Sequence, residues 1–227
     1  KSTFSREGIH IDLMSSIGPI TGDLQFTHCI HLPMSLTCPT IMGYFAYLPH
    51  MECNHGVVSV THSITGKIHY GSEDIHLSGG NGYIEKDWGK SFPQSWVWLQ
   101  TNSPKEKEFS FLFSYATIPV GKFHFNGFLI FFYIKGKFYR FATYNGSKVT
   151  TIEITSQRVK ATVIHKNHTL IIDAQTVEGG LLQAPVRGEM KRQITESLTA
   201  TIDVTLQEDG VTIHSVKGTA GGFEVSG

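Results

Sequence analysis

At 227 residues the chain holds enough material for one large β domain or two small ones. Nineteen Lys+Arg balance nineteen Asp+Glu, which removes the electrostatic case for nucleic acid, whose binders carry a basic patch or stripe. Three cysteines, Cys29, Cys38 and Cys53, form no Cys-x-x-Cys pair, and the odd count argues against a disulfide framework, so a reducing cytosol is the expected setting.

Along the chain, period-two alternation dominates, and no helical period runs beyond a turn or two. The first informative block, PTIMGYFAYLPHMECNHGVVS, runs from Pro39 to Ser59. It predicts a strand ending near Leu48 and another starting near Val57, with Glu52 and His55 between them. Turn signals follow at Thr65-Gly66 and Gly79-Gly80-Asn81-Gly82. Next comes GYIEKDWGKSFPQSWVWLQTN, Gly82 to Asn102, which combines two carboxylates, two lysines and three tryptophans in extended segments. Charged residues are rarely buried unless paired, so their mixture with indoles suggests a pocket wall. In a strand over Tyr83 to Trp88, Tyr83, Glu85 and Asp87 face one side, and Ile84, Lys86 and Trp88 the other. After a turn from Gly89 to Ser95, Trp96, Trp98 and Gln100 share a face opposite Val97 and Leu99.

The charged stretch Asn102 to Glu108 is the expected domain boundary, dividing residues 1–102 from 103–227. Beyond it Phe109, Phe111, Phe113 and Tyr115 alternate with Ser110, Leu112 and Ser114. The longest apolar run, Phe125 to Ile134, is too short for a membrane-spanning helix. Gly121, Gly136, Asn145-Gly146 and Asp209-Gly210 mark further turns. From Ile194 to Leu206 the alternation places Ile194, Leu198, Ala200, Ile202, Val204 and Leu206 on one face with Glu196, and Arg187 is expected to form a buried pair with Glu196. Many short strands with Gly-rich turns predict an all-β barrel or sandwich.

The Pro39–Ser59 and Gly82–Asn102 blocks resemble the signature of the tocopherol cyclase family. FNGFLIFFYIKGKFYRFATYNGSKV, LLQAPVRGEMKRQITES and the terminal GGFEVSG follow in the family's order, so the resemblance extends over essentially the whole chain. It implies two packed lipocalin-like antiparallel β-barrels. The first is expected to be incomplete here, since relatives carry a further N-terminal segment. It also implies a cofactor-independent reaction in which an acid protonates the trisubstituted alkene of a prenylated (phytyl) hydroquinone. The phenolic oxygen then captures the tertiary cation and closes a chromanol ring.

Such chemistry needs a dry acid, a partner for the phenol and walls that tolerate positive charge. Two carboxylates at i and i+2 in an apolar setting raise each other's pKa and keep a proton available. Glu85 or Asp87 is therefore expected as the acid, with His55 or Glu52 as the partner of the phenol. Trp88, Trp96 and Trp98 are candidate cation-stabilising walls, each worth roughly 0.5–2 kcal/mol when desolvated. Gln100, Tyr83 and Lys86 complete the expected binding set. The expected ligand is an apolar isoprenoid or prenylated quinol, and transient contact with lipid membranes is compatible with it.

Each residue also has a plainer reading. Glu85, Lys86 and Asp87 would serve as an ion-pair ladder on an edge strand, the tryptophans as core packing, and His55 and Glu52 as partners of loop backbone. No metal site is expected: His50, Cys53 and His55 are crowded but lack Cys₂His₂ or His-Glu-x-x-His spacing. Three other functions stay open. One is a lipocalin-like carrier of an apolar isoprenoid, another a carotenoid hydratase-like enzyme in which water captures the cation, and the third a scaffold without a ligand.

Overall fold

The computed structural model describes residues 1–16, 18–49, 51–103, 108–120 and 123–227. The chain builds two antiparallel sheets. The smaller comprises β1 (Thr3–Phe4), β2 (Gly8–Ser15), β3 (Gly18–Ile30), β4 (Cys53–Tyr70), β5 (Glu73–His76) and β6 (Gly80–Gly89). Its order is β1-β2-β3-β4-β5, with β6 pairing the first half of β4. The larger contains β7 (Trp96–Ser103), β8 (Phe109–Val120), β9 (Phe123–Ile134), β10 (Lys137–Ala142), β11 (Lys148–Ile154), β12 (Arg158–His165), β13 (His168–Gln175), β14 (Gly180–Val186), β15 (Glu189–Glu208) and β16 (Val211–Ser226). Its order is β10-β9-β8-β7-β16-β15-β13-β12-β11, with β14 on the free half of β15. The chain changes sheet between Gly89 and Trp96. The segment Asn102 to Glu108 and the Gly121 turn signal fall largely or wholly outside the described residues, as does His50.

Neither sheet closes into a barrel, which corrects the expected two packed barrels, the first of them incomplete. Closure requires hydrogen bonds between end strands. The larger sheet curls until β10 approaches β12, where the Phe141 and His165 rings lie 6.3 Å apart, but no ladder joins its ends. Its concave face is filled by Phe111, Phe113, Phe132, Phe141, Leu170, Ile172 and Val204, all essentially inaccessible to solvent. This packed interior is a core, not a lumen.

Period-two geometry explains why the run through β9 is apolar on both parities. Phe128, Ile130, Phe132 and Ile134 enter the concave core, while Phe131 and Tyr133 turn outward to meet Val60 of β4 and Leu32, Ile41 and Met42 of the β3–β4 connection. The two sheets are also tied by hydrogen bonds. The Tyr144 hydroxyl donates to the Ile41 carbonyl at 2.7 Å, and Asn102 Nδ2 donates to the Gly82 carbonyl at 3.0 Å.

Three local expectations are corrected. Residues Gly43–Tyr47 form a 3-10 turn instead of the end of a strand, and β4 begins at Cys53, earlier than Val57. The face predicted for Ile194 to Leu206 is broken by a register shift between Ser197 and Ala200. The irregularity reverses which side chains face inward. Ala200, Ile202, Val204 and Leu206 point into the core, whereas Leu198 is 69% exposed and Ile194 packs with Trp96 on the outer face. Arg187 is exposed in the turn between β14 and β15, at the far end of that hairpin from Glu196, so the two form no buried pair. Among the described residues no helix is long and apolar enough to cross a membrane.

Candidate active site

The site grows from two strand faces that meet between the sheets. On β6, alternation aims Tyr83, Glu85 and Asp87 at the larger sheet. On the neighbouring β4, His55 lies directly across from Asp87. On β7, Trp96 and Trp98 point the other way from Val97 and Leu99, which belong to the concave core. Trp98 can lie flat on its own sheet because its cross-strand neighbourhood is small: a Cβ on Gly222 would fall 2.4 Å from its ring.

Between these faces is a cavity of about 200 Å³. Its polar lining is Glu52, His55, Glu85, Asp87, Ser114 and Glu224, with the Cys53 thiol beside them. The apolar lining comes from Met42, Met51, Phe92, Ile118 and Leu129, together with the two indoles of Trp96 and Trp98. Concave, mostly apolar pockets with a few convergent polar groups are the usual form of small-molecule sites.

His55 sits at the centre. Its Nδ1 lies 2.7 Å from Asp87 Oδ1, and its Nε2 lies 3.5 Å from Glu85 Oε2. At that length Nε2 has no hydrogen bond although it is fully buried. Glu85 Oε2 accepts the Tyr83 hydroxyl at 2.5 Å and the Trp98 indole N–H at 3.2 Å. The Glu85 and Asp87 side chains are 19% and 27% exposed, so neither carboxylate is bathed in solvent.

Burial and charge oppose each other at these groups. Desolvation alone would lower the His55 pKa, but the Asp87 hydrogen bond and the charges of Glu85 and Asp87 outweigh it and hold the imidazole above its ordinary value. Burial raises Glu85, against the pull of His55, Tyr83 and Trp98. Burial, then Glu85, push the Tyr83 hydroxyl well above its usual range, so it acts as a donor. Cys53 is pushed up to about 12 by burial and the nearby Asp87 and Glu85, which makes it an inert thiol.

The remaining expected residues divide by position. Glu52 is exposed and lines the cavity, while its carbonyl accepts the Lys90 and Ser91 amides at 2.8 and 3.2 Å. Gln100 is buried on the Trp96–Trp98 face, but beyond the cavity lining. Trp88 and Lys86, expected on the binding wall, lie on the opposite face of β6. The Trp88 ring packs over Gly56, where a Cβ would come within 2.9 Å, and the Lys86 ammonium sits 5.8 Å from its centroid. Neither lines the cavity.

Sequence reasoning passed over Glu224. It lines the same cavity from β16, and its Oε2 accepts the Trp96 indole N–H at 2.8 Å. An isolated acid in the apolar strand GGFEVS was the available signal.

His55, Glu85 and Asp87 also bring three donor atoms within 4.8 Å of one another, a grouping that could hold a cation. Two of these oxygens already accept hydrogen bonds. Asp87 Oδ1 takes the imidazole Nδ1–H, and Glu85 Oε2 takes an O–H and an N–H. His55 Nε2 has no hydrogen-bond partner, so the cluster is equipped to pass on a proton.

Residues 33–227 match the family described as "Tocopherol cyclase-like". The chain is 29% identical over 148 residues to a "Probable tocopherol cyclase, chloroplastic" of Oryza sativa subsp. japonica, and 27% identical over 148 residues to "Tocopherol cyclase, chloroplastic" of Zea mays. Each alignment covers 63% of this chain and 31% of the plant protein, so the matched part spans about a third of those relatives. The fold is similar to that of kievitone hydratase from Nectria haematococca. The TM-score is 0.54 at 11% identity, over 97% of this chain and 65% of that one.

Proposed function

Because the chain belongs to the tocopherol cyclase-like family, we propose that its inter-sheet cavity closes the chromanol ring of a prenylated hydroquinone by acid catalysis, with no external cofactor. One observation carries this reading: a buried imidazole flanked by two carboxylates opens onto an apolar cavity walled by two indoles. The His55–Glu85–Asp87 cluster handles the proton traffic. Asp87 orients the ring through Nδ1, leaving the buried Nε2 beside Glu85 as the group that meets the phenolic O–H. Glu52 adds a carboxylate on the same lining. Trp96 and Trp98 present π faces to the tertiary cation, and Met42, Met51, Phe92 and Leu129 keep water from capturing it.

Incubating the full-length protein with 2,3-dimethyl-phytylbenzoquinol, followed by chromatography and mass spectrometry of the extracted lipid, tests the reading. Cyclisation gives a new species of unchanged mass, and hydration adds one water. Recovery of bound but unaltered quinol would replace the cyclase with a carrier. Glu85→Gln is expected to lower turnover by about 100-fold or more with the fold retained. Full activity in Glu85→Gln and Asp87→Asn together would remove the cluster from the chemistry.

A further inference from the structure

A cyclisation needs two proton-handling groups with opposite duties, one giving a proton to carbon and one taking a proton from oxygen. The cavity contains carboxyl groups in two unlike settings. Glu85 and Asp87 are surrounded by donors: Tyr83 O–H, Trp98 N–H and the His55 ring. For Glu85 such surroundings oppose the burial that raises it. Glu224 approaches from the other sheet, where β16 runs beside β7 and Glu224 stands directly across from Trp98. It receives a single N–H, from Trp96, and its neighbour on β15 is another acid, Glu196. The Arg192 guanidinium on the Trp96 ring does not serve it. It lies 5.3 Å from the ring centre and donates to the Pro93 and Gln94 carbonyls.

Resting on the cyclase reading above, we propose that Glu224 is the catalytic acid of the site, and that the His55–Glu85–Asp87 cluster on the facing wall is its base. The step balances. The Glu224 O–H proton passes to the less substituted alkene carbon, the π pair becomes the new C–H bond, and the O–H pair stays on the carboxylate. The adjacent carbon becomes a tertiary cation between Trp96 and Trp98. A lone pair of the phenolic oxygen forms the C–O bond. The phenolic proton is released to the base formed by His55 Nε2 and Glu85 Oε2, which are 3.5 Å apart. One proton has then moved from Glu224 to that cluster, and exchange with solvent resets both.

The electrostatic environment agrees with this division. Burial, with Glu196, Glu85 and Asp87 adding to it against the Trp96 hydrogen bond, pushes Glu224 from 4.5 up to about 7; burial raises Glu85 as well, but there His55, Tyr83 and Trp98 all pull against the rise. His55, Glu52 and Cys53 are the other titratable groups lining the cavity, and Glu52 carries the remaining carboxylate.

Two measurements test the assignment. Carbon-13 NMR of the full-length protein with labelled glutamate, compared with Glu224→Gln, should identify one side-chain carboxyl resonance titrating near pH 7 that the variant lacks. A Glu224 midpoint in the ordinary range of about 4–5 would overturn the proposal, whatever the substrate. In the phytylquinol assay, Glu224→Gln retains an acceptor for the Trp96 N–H and is expected to lower kcat by about 100-fold or more with KM little changed. It should also abolish the loss of rate as pH rises through 7. Undiminished kcat in Glu224→Gln beside an inactive Glu85→Gln would return the acid role to Glu85 and leave the cyclase reading intact. No turnover by the unaltered protein would instead strike the cyclase reading, while the NMR result would still decide the protonation of Glu224.

Discussion

His55 sets the charge balance of the cavity. Its Nδ1 bond to Asp87 holds the ring in place, and the same bond is the largest influence opposing desolvation. Asp87→Asn removes that support, so burial should prevail and the His55 pKa should fall from above the ordinary 6.5 toward or below it. Imidazole proton NMR across pH 4–9 checks this, and an unmoved His55 titration would show that the short contact is not what raises it. These partners were legible in part. Strand parity alone put Tyr83, Glu85 and Asp87 together and Trp96 with Trp98, because period two holds wherever a strand is regular. Lys86 and Trp88 joined the binding set through adjacency in sequence, although the same parity turns them away. Glu224 could not be found that way, because its hydrogen-bond partner Trp96 is 128 residues distant and only the β7–β16 pairing brings them together.

At the level of single strands, irregularities aim the site. The register shift in β15 between Ser197 and Ala200 lets one strand serve two surfaces: its second half fills the concave core, and its first half turns Ile194 and Glu196 outward toward the Trp96 side. Sequence alternation continued unbroken through that point, since Leu198 and Ala200 preserve the apolar period, so the reversal was invisible before the pairing was known. Gly222 on β16 has a comparable role. A methyl group there would lie 2.4 and 2.7 Å from Trp98 Cζ3 and Cη2, and a rigid indole has nowhere to retreat without giving up its N–H bond to Glu85. Gly222→Ala is expected to cost about 1–3 kcal/mol in urea unfolding and to shift the tryptophan emission. A variant with unchanged stability and emission would mean that the close approach of ring and backbone is dispensable.

For the whole molecule, the contrast between expected barrels and observed open sheets relocates the candidate site. All-β architecture followed from alternation and turn residues, but closure depends on whether end strands meet, which no local pattern encodes. Since the larger sheet fills its own concave side with phenylalanines, the available space lies between the sheets, where each contributes acids to a shared cavity. Assembling that interface therefore buries protonatable groups, and stability should follow pH accordingly. Glu224, Glu85 and His55 all have folded pKa values above their ordinary ones, so the folded state holds their protons more tightly than the unfolded chain. Their stabilisation is complete below the unfolded values and is lost as pH rises through the folded ones. For Glu224 alone, a rise from 4.5 to about 7 corresponds to about 3 kcal/mol, at roughly 1.4 kcal/mol per pH unit. Asp173 and Asp74, held low by hydrogen bonds from Arg158 and Lys67, act in the opposite sense below about pH 4, and His62, His165 and His214, lowered by burial, do so as pH rises through about 6.5 and offset part of the loss. Calorimetry should thus find Tm falling by roughly 5–10 °C between pH 5 and 8, with a flatter profile in Glu224→Gln. A Tm that rises over this window would show that the acids facing the cavity are ionised at little cost, and the two-wall account of proton transfer would lose its energetic basis.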